Sequence, residues 1–242
     1  MEKNIERPEG NVPAPAHIGI IVDGNRRYAK ERGLDPAKGH EAGARTLEKI
    51  LDYLQRRGVR QVTLYVFSTE NFNRSEPEKK ALMMLFDKAF DIWFSRERIE
   101  KGGIRVNFIG NLGLFSGHIQ DKCRDLMDIS RTQARFTINM AFGYGGRDEI
   151  VHAAREISKA VLSGKMKPED ITEKSFPGFL YLEECPDLII RTGRRYRTSN
   201  FLPWQSAYSE WFFEDKMWPD MDEGDFERIF IEFSERSRTF GK

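Results

Sequence analysis

HIGIIVDGNRRYAKERG, residues 17 to 33, decides the fold class. Its first six residues are almost continuously apolar and rich in isoleucine, the pattern of a parallel strand covered on both faces. Asp23-Gly24-Asn25 then interrupts the run, and a helical pattern begins at Arg26. Runs of the same kind recur as QVTLYVF (61–67), IRVNFIG (104–110), FTINMAF (136–142) and DLIIR (187–191). Helices are predicted over about 40–57, 78–101, 115–131, 147–163 and 222–238, with Asp222 and Asp225 as N-terminal signals of the last. Within 78–101, Leu82, Leu85, Phe86, Ala89, Phe90 and Trp93 recur at helical spacing and form a wide, aromatic-rich stripe. The alternation predicts an α/β fold, a mostly parallel central sheet flanked by helices. Residues 1–16, polar and proline-rich, read as an extended arm. Residues 17–242 read as a single domain, without repeat or linker.

The 242 residues suffice for a sizeable core, and the formal net charge is only +1. A near-neutral chain is a poor coat for nucleic acid, whose binding rests on many lysine and arginine contacts to phosphate. No nucleic-acid module, zinc-ligand spacing or GxxxxGK[ST] loop is present. The two cysteines, Cys123 and Cys185, have no CxxC partner, so a reducing, cytoplasmic compartment is expected. No signal-peptide core and no run of about 18 apolar residues is found. Positive charge is instead concentrated: IIRTGRRYRTSNFLPWQ (189–205) holds Arg191, Arg194, Arg195 and Arg197 within seven residues.

In open α/β sheets ligands collect at the carboxyl ends of strands. Gly24, Asn25, Arg26 and Arg27 follow the first strand as an anion site, yet Asp23 puts a carboxylate in the same place. A divalent cation between Asp23 and a phosphate removes the conflict, because magnesium is commonly held by one or two carboxylates plus phosphate oxygens. Plain helix capping by Asp23 is the competing reading. Ser68, Thr69, Glu70, Asn71, Asn73 and Arg74 follow the second strand, His40 stands in KGHEAG, and Arg191, Arg197 and Ser199 follow the strand at 187–191. Such donors suit a small, multiply charged anion, with arginine forks giving bidentate geometry. Alone, His40 reads as structural and Glu210 as a partly exposed glutamate.

Taken together, HIGIIVDGNRRYA, GHEAG, LYVFSTENFNR, YGGRDEI, IRTG with RTSNFLPWQSAYSE, and WPD followed by DF resemble the cis-prenyltransferases, the undecaprenyl diphosphate synthase family, from about His17 to Gly241. The resemblance implies a homodimer with a hydrophobic substrate tunnel. It also implies magnesium-dependent condensation of an allylic diphosphate (dimethylallyl, geranyl or farnesyl) with isopentenyl diphosphate, and at most peripheral membrane contact through the lipid product. By matched position, Asp23 is the essential carboxylate, and Gly24, Asn25, Arg26, Arg27 and His40 hold the allylic diphosphate with help from Arg74. Asn71 assists proton removal, and Tyr28 and Phe72 lie near the substrates beside Ser68, Thr69 and Glu70. Arg191, Arg197, Thr198 and Ser199 grip isopentenyl diphosphate, and Glu210 joins Asp23 at magnesium.

The sequence departs from the family pattern at Pro36, where an arginine is usual, and at Arg194, Arg195 and Tyr196 within the usual TGGExR. Val66 and Phe136 align with positions usually occupied by smaller tunnel-facing residues, and Phe86 and Phe90 belong to the same expected wall. Larger side chains block elongation sterically, so a short- to medium-chain product is expected. The alternatives are a branched, non-head-to-tail condensation and a catalytically silent partner subunit; the presence of Asp23, Asn25, Asn71 and Glu210 weighs against the second.

Overall fold

In the computed structural model, which describes residues 12–236, apolar strands pair edge to edge in one all-parallel sheet. They are β1 (His17–Ile21), β2 (Gln61–Ser68), β3 (Ile104–Ile109), β4 (Phe136–Tyr144), β5 (Leu188–Arg191) and β6 (Glu210–Phe213), in the order β3-β4-β2-β1-β5-β6. Five match the expected runs within about two residues. The sixth, Glu210-Trp211-Phe212-Phe213, is a correction: four residues, of which only Phe212 is buried, carry too little pattern to be recognised as a strand. Side chains alternate between two apolar clusters. Ile18, Ile20, Leu64, Met140 and Ile190 join the larger one, and Ile21, Tyr65, Ala141 and Ile189 join the smaller.

The helices are α1 (Asn25–Glu31), α2 (Pro36–Arg56), α3 (Glu76–Trp93), α4 (Arg96–Gly102), α5 (Gly117–Ser130), α6 (Gly146–Leu162) and α7 (Glu223–Glu235). α2 starts before the expected residue 40, with Asp35 accepting from the Ala37 N–H at 2.8 Å and Pro36 in the first turn. The helix expected over 78–101 is two. Ser95 caps a new helix by accepting from the Arg98 N–H, and the apolar stripe runs through the break without a glycine or proline to mark it. Asp222 and Asp225 form a reciprocal capping box, as expected.

Of the expected arm, residues 1–11 lie outside the described residues. The rest is docked: Pro15 is buried, Ala16 donates to Asp187 at 2.9 Å, and Arg57 donates to the Val12 carbonyl at 3.2 Å. The packed unit therefore begins about five residues earlier than the sequence pattern implies.

A polar line crosses the apolar sheet. His17 Nε2 meets Thr63 Oγ1 at 2.7 Å, Asn139 donates to the same hydroxyl at 3.1 Å, and Asn107 donates to Asn139 at 2.9 Å. Burial holds His17 at a pKa of about 4, against 6.5 when free. Between those values the unfolded chain binds a proton that the native state refuses. The neutral imidazole's contribution, of order 3 kcal/mol, is complete above pH 6.5 and is lost as pH falls toward 4. Urea midpoints measured at pH 7 and pH 4.5 are expected to fall more steeply in the wild type than in His17→Gln; equal slopes would contradict this.

Candidate active site

The carboxyl ends of β1, β2 and β5 lie side by side, where the connections from β1 and β5 leave toward different sheet neighbours. Asp23 stands just beyond β1. Gly24 follows with φ +113°, a conformation L side chains rarely adopt, and an added Cβ would press on Met217. The backbone of Asp23 is fixed from two sides: its carbonyl accepts from the Trp218 N–H at 3.1 Å and from Thr192 Oγ1 at 2.7 Å. α2 packs against α1 through Gly39 and Gly43, where any Cβ would strike Asn25. Small residues at this i, i+4 spacing thus set Asn25, whose Nδ2 donates to the Val22 carbonyl at 3.1 Å.

The Asp23 carboxylate is straddled by guanidinium groups, Arg27 at 2.8 Å and Arg191 at 2.9 Å. Arg191, only 3 % exposed, also donates to the Arg197 carbonyl and to Ser199 Oγ. Ser199, Asn200 and Leu202 have φ of +50°, +63° and +47°, so this loop stores backbone strain. It is held by the Tyr65 hydroxyl on the Ser199 carbonyl (3.2 Å) and by the Gly146 and Arg147 N–H groups on Asn200 (each 2.9 Å). Fully buried Glu149 anchors the loop's far end, accepting from Gln205 and from the Tyr181 and Leu182 N–H groups. A second carboxylate, Glu78 in the first turn of α3, is bridged by Arg74 at 3.2 Å and Arg26 at 3.7 Å.

Three cavities meet here. A polar basin of about 790 Å³ is lined by Asp23, Gly24, Asn25, Arg26, Arg27, His40 and Arg74. A second cavity, about 610 Å³, shares Asp23, His40, Arg74 and Arg197 with it and adds Arg191, Ser199, Ser68, Glu70 and Asn71. It runs on between Leu47, Val66, Phe86 and Met140. An open groove of about 790 Å³ between α2 and α3 continues it, the two sharing Ala44, Leu82, Leu85, Ala89 and Trp93. Val66 reaches the cavity because β2 bulges there: Tyr65 faces Ala141 and Phe67 faces Phe142, leaving Val66 unpaired in register. His40 borders all three spaces. Burial, reinforced by Arg74, lowers its pKa to about 4, so it is a neutral imidazole at pH 7. His40 Nε2 and Arg191 Nε are buried without a protein partner, nitrogens left over for an anionic ligand, whereas the equally unpartnered Asn25 Oδ1 faces Gly43 of α2.

Several expected site residues lie elsewhere. Tyr28 lies under Arg32, whose guanidinium is 3.9 Å from the ring centroid, and lines none of these cavities. Thr69 and Thr198 also line none of them, and Phe72 packs edge-on to Phe67 in the core. Phe90 is fully buried among Phe86, Phe108 and Phe142. Phe136, 1 % exposed, borders with Trp93 a residual void of only about 10 Å³. Glu210 opens β6 opposite Leu188, at the amino edge of the sheet, and ion-pairs with Arg236 at 2.8 Å. That register sets it roughly 15 Å along the strand direction from Asp23, so it is not a co-ligand within the chain. Ala44, Leu47, Glu78 and Asn200 are site residues the sequence did not single out; the small-residue spacing on α2 was the available signal.

Among the described residues no group of three or more histidine, cysteine or acidic side chains could cage a metal. The donor set fits an ion that takes one carboxylate, Asp23, and completes its shell with phosphate oxygens and water, as magnesium commonly does.

Guanidinium-lined pockets at the carboxyl edge of a parallel sheet, opening into an apolar channel, define a class: an α/β transferase for diphosphates with apolar tails. The family described as "Putative undecaprenyl diphosphate synthase" matches residues 21–241. A tritrans,polycis-undecaprenyl-diphosphate synthase (geranylgeranyl-diphosphate specific) of Thermococcus kodakarensis is 43 % identical over 235 residues, covering 96 % of this chain and 88 % of that protein. The Picrophilus torridus protein of the same description is 41 % identical, covering 95 % and 91 %. Lavandulyl diphosphate synthase from Lavandula x intermedia, solved with dimethylallyl diphosphate, superposes with a TM-score of 0.84 at 30 % identity, covering 94 % of this chain and 98 % of that one. A "probable undecaprenyl diphosphate synthase" from Campylobacter jejuni gives 0.79 at 30 % identity, covering 95 % and 99 %. The chain belongs to the undecaprenyl diphosphate synthase family, the cis-prenyltransferases.

Proposed function

We propose that the allylic diphosphate occupies the polar basin with its tail in the apolar channel, while isopentenyl diphosphate sits against Arg191, Arg197 and Ser199. The observation that carries this reading is the position of Asp23, shared by both polar spaces and straddled by Arg27 and Arg191. Asp23 would hold magnesium together with the substrate phosphates, and the ion supplies neutralisation of the departing diphosphate. Arg26, Arg27 and Arg74 add fixed positive charge to the same leaving group, and His40 and Asn25 orient it. Ser199 and the two clamp arginines set the isopentenyl double bond beside the allylic carbon, where proximity lowers the barrier. Asn71 Oδ1 already accepts from the Ser68 N–H at 3.1 Å, and a carboxamide is a weak base. We therefore assign Asn71 to orientation and the final proton to diphosphate oxygen.

The growing product stops at the wall set by Trp93, which lines the channel and is backed by Phe136 across the small void, and this favours a short- to medium-chain product. The names of the Thermococcus and Picrophilus relatives support a second reading, in which a geranylgeranyl primer yields an undecaprenyl product. Mass spectra of products from isopentenyl diphosphate with dimethylallyl, geranyl, farnesyl or geranylgeranyl diphosphate separate the two. The expected products fall short of undecaprenyl length, and Phe136→Ala shifts them upward by at least one isoprene unit. An undecaprenyl product from the wild type, or an unshifted variant, would overturn the role of this wall. Dimethylallyl diphosphate supplied alone tests branched condensation. The quaternary form and compartment we propose, from the family resemblance, are a cytoplasmic homodimer; no described helix is long and apolar enough to cross a membrane.

A further inference from the structure

We propose that Arg195 is a ligand of the first substrate's diphosphate and sets its preference for a diphosphate over a monophosphate, an inference that rests on the prenyltransferase reading above. Arg195 lies in the segment that leaves β5, and this segment is tied on both sides. Arg27 donates to the Gly193 carbonyl, the Gly193 N–H donates to the Lys216 carbonyl at 2.8 Å, and the Arg194 N–H donates to the Glu214 carbonyl at 3.2 Å. The Arg194 side chain pairs with Glu31 at the end of α1, at 3.7 Å. Tyr196 donates its hydroxyl proton to Asp215, and Arg191 donates to the Arg197 carbonyl. These ties bring Arg195 to the wall of the polar basin, the space bordered by Asp23, Arg26, Arg27 and His40, and not to the cavity that holds Ser199 and Asn71. By position in the chain it belongs with the second-substrate loop; by position in space it faces the first substrate.

Charge bookkeeping supports the assignment. Arg27 and Arg191 share Asp23, and Arg26 and Arg74 share Glu78. Among the described residues Arg195, Arg197 and Lys30 have no carboxylate within ion-pair distance, and all three border the basin. Unneutralised cations converging on one concavity raise its potential and favour an anion of more than one charge. A guanidinium fork can then take two oxygens of a terminal phosphate.

Calorimetric titration of the wild type, Arg195→Ala and Arg195→Gln with geranyl diphosphate and with geranyl monophosphate, without isopentenyl diphosphate, tests the assignment. Both variants are expected to bind the diphosphate about tenfold more weakly, about 1.4 kcal/mol, with monophosphate binding within about twofold of wild type. In steady state the KM for the allylic substrate rises by a similar factor, while kcat and the KM for isopentenyl diphosphate hold. Unchanged diphosphate binding, an equal loss for both ligands, or a rise confined to the isopentenyl KM would overturn the proposal. A wild type that binds geranyl diphosphate through Arg195 yet incorporates no isopentenyl unit would sink the prenyltransferase reading and leave the ligand assignment standing.

Discussion

Asp23→Ala is expected to lower kcat by about three orders of magnitude while the KM values stay level or fall. The size follows from removing the carboxylate that would hold the ion neutralising the leaving group, where a single preorganised electrostatic partner is commonly worth a hundredfold to a thousandfold. The split between kcat and KM follows from the geometry. Alanine frees Arg27 and Arg191, which now hold Asp23 at 2.8 and 2.9 Å, for the diphosphates themselves. Ground-state binding therefore survives while the transition state loses its support. Asp23→Asn keeps hydrogen-bond acceptance and loses the charge, so the same collapse is expected. Steady-state kinetics beside a thermal melt make the check; a variant retaining a tenth of wild-type kcat would remove Asp23 from the chemistry.

The second large effect is expected at Arg191. Its buried guanidinium spans Asp23, Ser199 Oγ and the Arg197 carbonyl. Those last two contacts hold a loop with three non-glycine residues at positive φ. Each such residue costs of order 1–3 kcal/mol, sustained only while its surroundings over-determine it. Lysine offers a compact ammonium in place of a planar fork and cannot span all three acceptors in the same geometry. Arg191→Lys should raise the KM for isopentenyl diphosphate by about a hundredfold, with a much smaller change for the allylic substrate. An isopentenyl KM within about threefold of wild type would show that the loop keeps its shape without the fork.

The particular residues explain what the sequence could and could not disclose. Continuous apolar runs signal parallel strands whatever their neighbours, so β1 to β5 were legible, and with them the strand-end positions of Asp23, Asn71, Arg191 and Ser199. Register was not legible. Which end of the sheet Glu210 occupies depends on its pairing with Leu188, a long-range fact no local pattern carries. The direction of aromatic side chains was equally hidden. Phe90 shares its helical spacing with the cavity residues Phe86 and Trp93, yet it packs into the apolar cluster, because an amphipathic stripe marks the buried face without separating core from channel wall. Glu78 looked like one more charge on a helix; its meaning comes from Arg26 and Arg74 arriving from other segments.

A crystal structure of the chain with magnesium, a non-reactive thiolo analogue of geranyl diphosphate and isopentenyl diphosphate tests the central claim most directly. The account predicts the thiolodiphosphate in the basin between Arg26, Arg27 and His40, its tail between α2 and α3. The isopentenyl diphosphate should lie on Arg191, Arg197 and Ser199, with the ion on Asp23. Diphosphates found at the amino edge of the sheet beside Glu210, or a tail outside the channel, would contradict it.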